Sequence, residues 1–225
     1  MGNTEKKTES RVVLTADGSS SVYNPEFNQH YHSIFGALQE SQRVFIQLGL
    51  EAAFERFAEI SVFEMGFGTG LNALLTLLEA EKSEKTVRYT AVEAFPLPLE
   101  EARQLNFDAL LASEYLKALH ESPWNQPISI TPFFQLSKYA GRLQEFRTEE
   151  RFNLVYYDAF APEAQPELWT PEIFEQLAGM MHPNGLLTTY CSKGYVKRNL
   201  QAAGFRVEKH PGPARKREIL RAVKL

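Results

Sequence analysis

The sequence predicts an α/β fold: a mostly parallel sheet covered by helices on both faces, closed at its C-terminal edge by an antiparallel hairpin. Three observations carry this. From residue 61 onward, short apolar runs alternate with amphipathic helical stretches five times. The first of these runs ends in a Gly-rich turn that opens a helix, Glu64-Met-Gly-Phe-Gly-Thr-Gly70. The last two runs, 205–209 and 217–223, are joined by a Pro/Gly loop with no room for a helix. The whole chain reads as a single domain, with 1–59 an N-terminal extension acting as a lid and 60–225 the core.

The elements follow in order. Residues 1–20 are expected to be poorly ordered or a short hairpin, with turn chemistry at Ala16-Asp17-Gly18. A helical pattern runs through Val44, Phe45, Leu48 and Leu50. Residues 61–65 form a strand, and 71–80 a helix with Leu71, Leu74, Leu75 and Leu78 on one face. Residues 87–92 are a strand and 98–120 largely helical. A short strand at 128–131 is followed by a helix to about residue 146, and 152–157 is a buried strand. Thr170 and Pro171 start a helix that the His182-Pro-Asn-Gly185 stretch stops. Residues 186–191 are a strand and 195–203 a helix ended by Gly204.

Composition narrows the function classes. No apolar run approaches the ~20 residues of a membrane span, and the start, MGNTEKKTES, lacks the apolar segment of a secretory signal. The single cysteine, Cys191, excludes an internal disulfide and fits a cytoplasmic protein. No Cys/His cluster has zinc spacing, so no metal is expected. Net charge is −4, but unevenly spread: residues 193–225 hold ten basic and two acidic side chains, +8, leaving −12 on the rest. A basic end on an acidic body suits a polyanion, although a solvated basic helix and edge strand would look the same.

The Gly-rich turn makes room for a nucleotide-like group at the carboxyl edge of the first core strand. A dinucleotide fingerprint would need Gly at position 71, which is Leu, and a phosphate-binding P-loop would need Lys after Gly70. The remaining pattern, Glu64, Gly66, Gly68 and Gly70, resembles motif I of class I S-adenosylmethionine-dependent methyltransferases. Glu93 closes the second strand 23 residues beyond Gly70, placed to accept both hydroxyls of a ribose. Phe95 either packs on an adenine or belongs to the core. The fourth strand ends in Tyr156-Tyr-Asp-Ala-Phe-Ala-Pro162. Asp158 there can orient a substrate amine and take its proton, so that methyl transfer needs only alignment and charge stabilisation. His182 reads as a helix C-terminal cation, Cys191 as a buried small residue, and Trp124 and Trp169 as packing residues, with a place bordering the site as the alternative for Trp169.

Four stretches together resemble the methyltransferase half of the bifunctional tRNA-modifying enzyme MnmC and its stand-alone relatives, MnmD. They are Tyr31-His-Ser33 with Leu38-Gln-Glu40 and Val44-Phe45; Gly66-Phe-Gly-Thr-Gly-Leu-Asn72; Asp158-Ala-Phe-Ala-Pro162 with Trp169-Thr170; and Gly204-Phe205 with Arg215-Lys-Arg-Glu218. The resemblance implies a Rossmann-like class I fold with a seven-stranded sheet. It implies methylation of the amine of 5-aminomethyl-(2-thio)uridine at the tRNA wobble position, with S-adenosyl-L-methionine as donor. Cofactor contacts are then expected from Glu64, Gly66, Phe67, Gly68, Thr69, Gly70, Asn72, Glu93, Ala94 and Asp158. Gln135 is expected to stand where family members carry an acid after strand three. Asp158 is the expected catalytic residue. Tyr31, Ser33, Glu40, Phe160 and Pro162 are expected around the substrate nucleotide, and Lys193, Arg215, Lys216 and Arg217 on phosphates of the tRNA anticodon region. The flavin oxidase half of MnmC has no counterpart before Leu225, so the amine should come from a separate oxidase or an upstream modification enzyme. Two alternatives stand beside this reading: an aminopropyltransferase like spermidine synthase, disfavoured by the basic end, and a non-catalytic RNA-binding protein on the same fold.

Overall fold

The computed structural model describes residues 11–213 and 216–225. Three short strands come first, β1 (Arg11–Leu14), β2 (Ser20–Asn24) and β3 (Gln29–His30), paired antiparallel in the order β1-β2-β3. The turn expected at Ala16-Asp17-Gly18 joins the first two: Gly18 sits at φ 81°, and its N–H donates to the Thr15 carbonyl at 3.0 Å. Next, α1 (Ala37–Ser41) runs on through a π-helical stretch, Gln42–Glu51, into α2 (Ala52–Arg56). This segment buries Val44, Phe45, Ile46, Leu48 and Leu50 against the sheet. A Cβ on Gly49 would stand 3.3 Å from side-chain atoms of Leu154, Tyr156 and Thr188, tighter than ordinary contact, so glycine fits best there.

The core then alternates as the sequence predicts: β4 (Ile60–Met65), α3 (Leu71–Ser83), β5 (Val87–Glu93), and the short helices α4 (Leu99–Ala102), α5 (Phe107–Leu111) and α6 (Leu116–Glu121). There follow β6 (Pro127–Thr131), β7 (Phe134–Ala140), β8 (Phe152–Tyr157), α7 (Pro171–Gly179), β9 (Met181–Thr189), α8 (Gly194–Ala202), β10 (Phe205–Pro211) and β11 (Glu218–Lys224). The sheet has the order β10-β11-β9-β8-β4-β5-β7-β6. Strands β9, β8, β4, β5 and β7 are parallel, and the C-terminal hairpin β10–β11 is antiparallel, as expected. The central strand β4 is buried on both faces, which is why it reads as one apolar run.

Two expectations are corrected. The helix expected from about residue 132 to 146 is the strand β7, paired parallel to β5, with β6 antiparallel outside it. The main sheet therefore has eight strands among the described residues, against the seven expected. Phe134, Leu136 and Lys138 point inward with period two, and the buried Lys138 disguises the alternation. The second correction concerns His182-Pro-Asn-Gly185. Helix α7 already ends at Gly179, and these residues form a bulge inside β9, between the pairs Phe152↔Met181 and Leu154↔Leu186. His182 is exposed there and is not a helix C-terminal cation.

Lys138 is held by specific partners. Its Nζ donates to the carbonyls of Leu119 (2.7 Å) and His120 (2.8 Å) at the end of α6, and lies 4.6 Å and 5.1 Å from the ring centroids of Trp124 and Phe67. Burial pulls its pKa down to about 8. Lys138→Met should leave two helix-end carbonyls without their donor and destabilise the protein by about 2 kcal/mol in urea unfolding.

Candidate functional site

The carboxyl edges of β4, β5 and β8 meet beside the N-terminal segment that carries Tyr31 and His32. At the end of β4 the chain turns through Gly66 (φ 92°), Gly68 (φ 48°) and Gly70 (φ 73°), conformations that only glycine adopts without strain. Two of these positions are also crowded. A Cβ on Gly66 would stand 2.9 Å from the Asp158 carbonyl oxygen, and one on Gly68 would stand 2.8 Å from Cδ1 of Tyr31. Backbone bonds lock the turn to its neighbours: Gly66 N–H to the Val92 carbonyl (2.9 Å) and Asp158 N–H to the Met65 carbonyl (3.1 Å).

Glu93, 7% exposed, ties the turn to the end of β5. Its Oε2 accepts from Gly68 N–H at 2.9 Å and its Oε1 from Phe95 N–H at 2.8 Å. Burial raises its pKa, and these N–H donors oppose the rise. Thr69 is gripped twice: its hydroxyl lies 2.6 Å from Nε2 of His32, and its carbonyl accepts from Nε2 of His120 at 2.9 Å. Burial lowers the pKa of His32 to about 4, so the imidazole is neutral at neutral pH.

Behind the turn, Asn72 on α3 bridges two carboxylates. Its Nδ2 donates to Glu64 Oε1 at 3.0 Å and to Asp158 Oδ2 at 2.9 Å. Glu64 is buried, and burial lifts its pKa well above the ordinary carboxylate range, with Asp158 adding to the rise and Asn72 opposing it. Burial, then the charge of Glu40, brings the Asp158 carboxyl up to about 7, against the pull of Asn72 and Lys216. Asn72 Oδ1 is a buried acceptor with no hydrogen-bond partner among the described residues, and the Tyr89 hydroxyl faces the Glu64 carboxyl.

Two adjoining cavities share the Asp158 side chain. The first is lined by Gly66, Phe67, Gly68, Thr69, Asn72 and Glu93, together with Tyr31, His32, Ala94, Phe95, Phe160 and Gln165. The second is lined by His30, Tyr31, Ser33, Glu40, Phe160, Tyr190 and Lys216. The roof is aromatic: Phe160 lies 5.0 Å from both Phe27 and Tyr31, and Phe27 lies 5.3 Å from Phe95. The loop after β8 is braced from outside, with Trp169 Nε1 donating to the Phe160 carbonyl (2.9 Å) and the Tyr190 hydroxyl to the Ala159 carbonyl (2.8 Å).

Most residues singled out in the sequence thus meet at one place. Glu64 lies beneath the first cavity, joined to it through Asn72. Tyr31, Ser33, Glu40, Phe160 and Lys216 surround the second. Pro162 is buried in the loop and lines neither cavity. Lys193 pairs with Glu163 at the surface, Arg217 is exposed, and Arg215 lies outside the described residues. Gln135 is misplaced by the expectation. As part of β7 it pairs with Arg88 near the start of β5, whereas Ala140, paired with Glu93, marks the edge facing the site. Lys216 turns inward, forming an ion pair with Glu40 and standing 4.2 Å from the Tyr190 ring centroid. The sequence reading missed His32, His120, Gln165 and Tyr190. His32 stands inside the quoted Tyr31-His-Ser33 motif, but its partner is 37 residues away, and His120 is 51 residues from Thr69.

The donor set fits S-adenosyl-L-methionine. Three glycines clear a path for a bulky group, Glu93 retains acceptor capacity for ribose hydroxyls, and the orphaned acceptor Asn72 Oδ1, on the cavity wall, suits an ammonium group. Among the described residues there is no group of three potential metal ligands, and no helix long and apolar enough to cross a membrane.

Comparison with known proteins agrees with this geometry. Residues 135–225 match a family described as S-adenosyl-L-methionine-dependent methyltransferase. The tRNA 5-methylaminomethyl-2-thiouridine biosynthesis bifunctional protein MnmC of Pseudomonas putida is 30% identical over 226 residues, covering 91% of this chain and 34% of that protein. The protein of the same name from Pseudomonas savastanoi is 32% identical over 212 residues, covering 87% and 32%. The chain thus spans about a third of the length of the curated relatives it matches. Among solved structures, MNMC2 from Aquifex aeolicus superposes with a TM-score of 0.75 at 24% identity, over 97% of this chain and 71% of that one. Spermidine synthase from Thermotoga maritima superposes at 0.53 with 11% identity, over 100% and 81%. Both structural likenesses are likenesses of fold.

Proposed function

For a chain that belongs to the MnmC methyltransferase-domain and MnmD family of S-adenosyl-L-methionine-dependent methyltransferases, we propose methylation of the exocyclic amine of 5-aminomethyl-(2-thio)uridine at the tRNA wobble position. The observation that carries this reading is the Asp158 side chain standing between two cavities, one lined by the Gly-rich turn and Glu93, the other by Tyr31, Glu40, Phe160 and Lys216. When bound, S-adenosyl-L-methionine supplies a methyl group on a sulfonium, whose S–C bond breaks with its electron pair left on sulfur as the N–C bond forms.

The residues of this chain do the rest. Glu93 and the Gly-rich turn hold the ribose side, and Glu64 with Asn72 receives the ammonium end. Asp158 accepts a hydrogen bond from the substrate amine and takes a proton from it. A carboxyl brought up to about 7 is suited to that transfer near neutral pH. Tyr31 and Phe160 offer aromatic surface to an extruded base. The spermidine-synthase-like alternative shares the fold, but its substrate is a polycation, which the basic C-terminal end of the chain, +8 over residues 193–225, disfavours. The step that generates the amine lies outside this proposal. A cytoplasmic setting belongs to the same reading.

The test is mass spectrometry of wobble nucleosides after incubating tRNA carrying 5-aminomethyluridine with the protein and donor. One added methyl on that nucleoside is expected, and an unchanged nucleoside would contradict the proposal. Docking on phosphates adds a second prediction. Arg217 is exposed, so Arg217→Glu should weaken tRNA binding several-fold at near-physiological salt and flatten its salt dependence, with cofactor affinity unchanged. Filter binding across a salt series reads both.

A further inference from the structure

Lys216 stands in the basic C-terminal hairpin and is partly exposed, but its ammonium is held in an ion pair. It meets Glu40, which is 7% exposed on α1 and whose other oxygen accepts from Ser33 N–H at 3.1 Å. The ammonium also stands over the Tyr190 ring, and the Tyr190 hydroxyl holds the Ala159 carbonyl, next to Asp158. Lys216 is the only lysine or arginine lining the second cavity among the described residues. Other titratable groups near Asp158 are Glu64 from β4 and Glu93 from β5, with His30, Tyr31 and His32 from the N-terminal segment and Tyr190 just after β9, and Asn72 from α3 donates to it. Two acids, Glu40 and Glu64, thus act on this carboxyl, and one cation answers them.

We infer that the Glu40–Lys216 ion pair is a positioning element for Asp158: it holds one negative and one positive charge on the cavity wall facing that carboxyl, and their balance governs how readily it takes a proton from the acceptor amine. The inference rests on the reading of Asp158 as the group beside that amine. The proton moves from the ammonium nitrogen to an Asp158 oxygen, freeing the nitrogen lone pair, and no oxidant or further reactant is required. Glu40 favours the protonated carboxyl and Lys216 the ionised one, so removing either partner displaces the balance in opposite directions. The pair also joins the N-terminal segment to the C-terminal hairpin, so the balance is complete only when these two segments are in contact.

The chain has three aspartates, Asp17, Asp108 and Asp158, so carbon-13 labelling of aspartate side chains gives a simple spectrum in which Asp158→Asn assigns the Asp158 signal. Titrated by NMR, Lys216→Met should raise the Asp158 midpoint by ~1 pH unit and Glu40→Gln should lower it. The double variant should return close to wild type, and Lys216→Arg should stay there. The Asp108 signal serves as a check on folding, and if Lys216→Met does not fold, Glu40→Gln and Lys216→Arg still decide the matter. Equal midpoints in wild type and Glu40→Gln, or shifts of the same sign in both single variants, would overturn the inference. The pH profile of kcat should move in the same order. If the NMR midpoints move and the profile does not, the ion pair keeps its role and the placement of the amine beside Asp158 fails.

Discussion

Asp158→Asn is expected to cut methyl transfer by ~100- to 10,000-fold in kcat, to leave cofactor affinity within a few-fold, and to make the folded protein more stable at neutral pH. The first two effects follow from geometry. An asparagine oxygen still accepts from Asn72 Nδ2, so the wall of the cofactor cavity is kept, but it cannot take a proton from the amine. The third follows from linkage. Burial, and next the charge of Glu40, holds the carboxyl at about 7 against an ordinary value of 3.8, so between these values the folded chain binds the proton more tightly than the unfolded one. That contribution is full below pH ~4 and lost as pH rises through about 7. The substitution removes the loss, so the gap in favour of the variant should open with rising pH, on the order of 2 kcal/mol by pH 8, the half-buried side chain being partly screened by solvent. Urea unfolding across pH, beside calorimetry with the cofactor, reads both parts. A stability gap that closes with rising pH, or cofactor affinity falling in step with kcat, would contradict the assignment.

Gly66→Ala should damage both cavities at once. The residue sits at φ 92°, which costs an alanine about 1–3 kcal/mol. Its new Cβ would stand 2.9 Å from a backbone carbonyl, that of Asp158, which cannot yield as a flexible side chain would. Either the Gly-rich turn or the loop after β8 must move, and both are fixed to neighbouring strand ends by backbone hydrogen bonds. Cofactor affinity should drop at least ~10-fold, and kcat should fall as well because Asp158 shifts with its own carbonyl. Gly179→Ala serves as the control: its Cβ meets nothing within 4 Å, and little change is expected. If Gly66→Ala keeps wild-type affinity and kcat, the turn does not face the reacting groups.

Much of the fold was legible because local and global signals agree. Strands β4 and β8 are buried along most of their length and read as mostly apolar runs, broken only by Ser61, Glu64 and Asn153. The hairpin β10–β11 is bounded by Gly204 and the Pro211-Gly212-Pro213 loop. Strand β7 was hidden by Lys138, an inward residue made tolerable only by carbonyls and rings that the rest of the fold brings to it. Gln135 was misplaced with it, because reading strand as helix moved the carboxyl edge by several residues. The bulge at His182-Pro-Asn-Gly185 carries turn residues that read as a stop, yet it lies within a strand.

The site divides along the same line. Its carboxylates and glycines come from segments with strong local signatures at strand ends. Its histidines do not: His32 and His120 gain their role from Thr69, to which only the folded chain brings them. Lys216 looked like one more basic residue of a surface loop, and its pairing with Glu40 spans 176 positions. Charge counting places such a residue on a face of the molecule, but not on the inner or outer side of that face.

The most direct measurement is calorimetric titration of the protein with S-adenosyl-L-methionine and its demethylated product, beside the same titration of Glu93→Ala. One site per chain for both compounds, weakened at least ~10-fold in the variant, is the expected result. No binding of either compound to the wild-type protein, or equal binding to the variant, would contradict the placement of the methyl donor between the Gly-rich turn, Glu93 and Asp158.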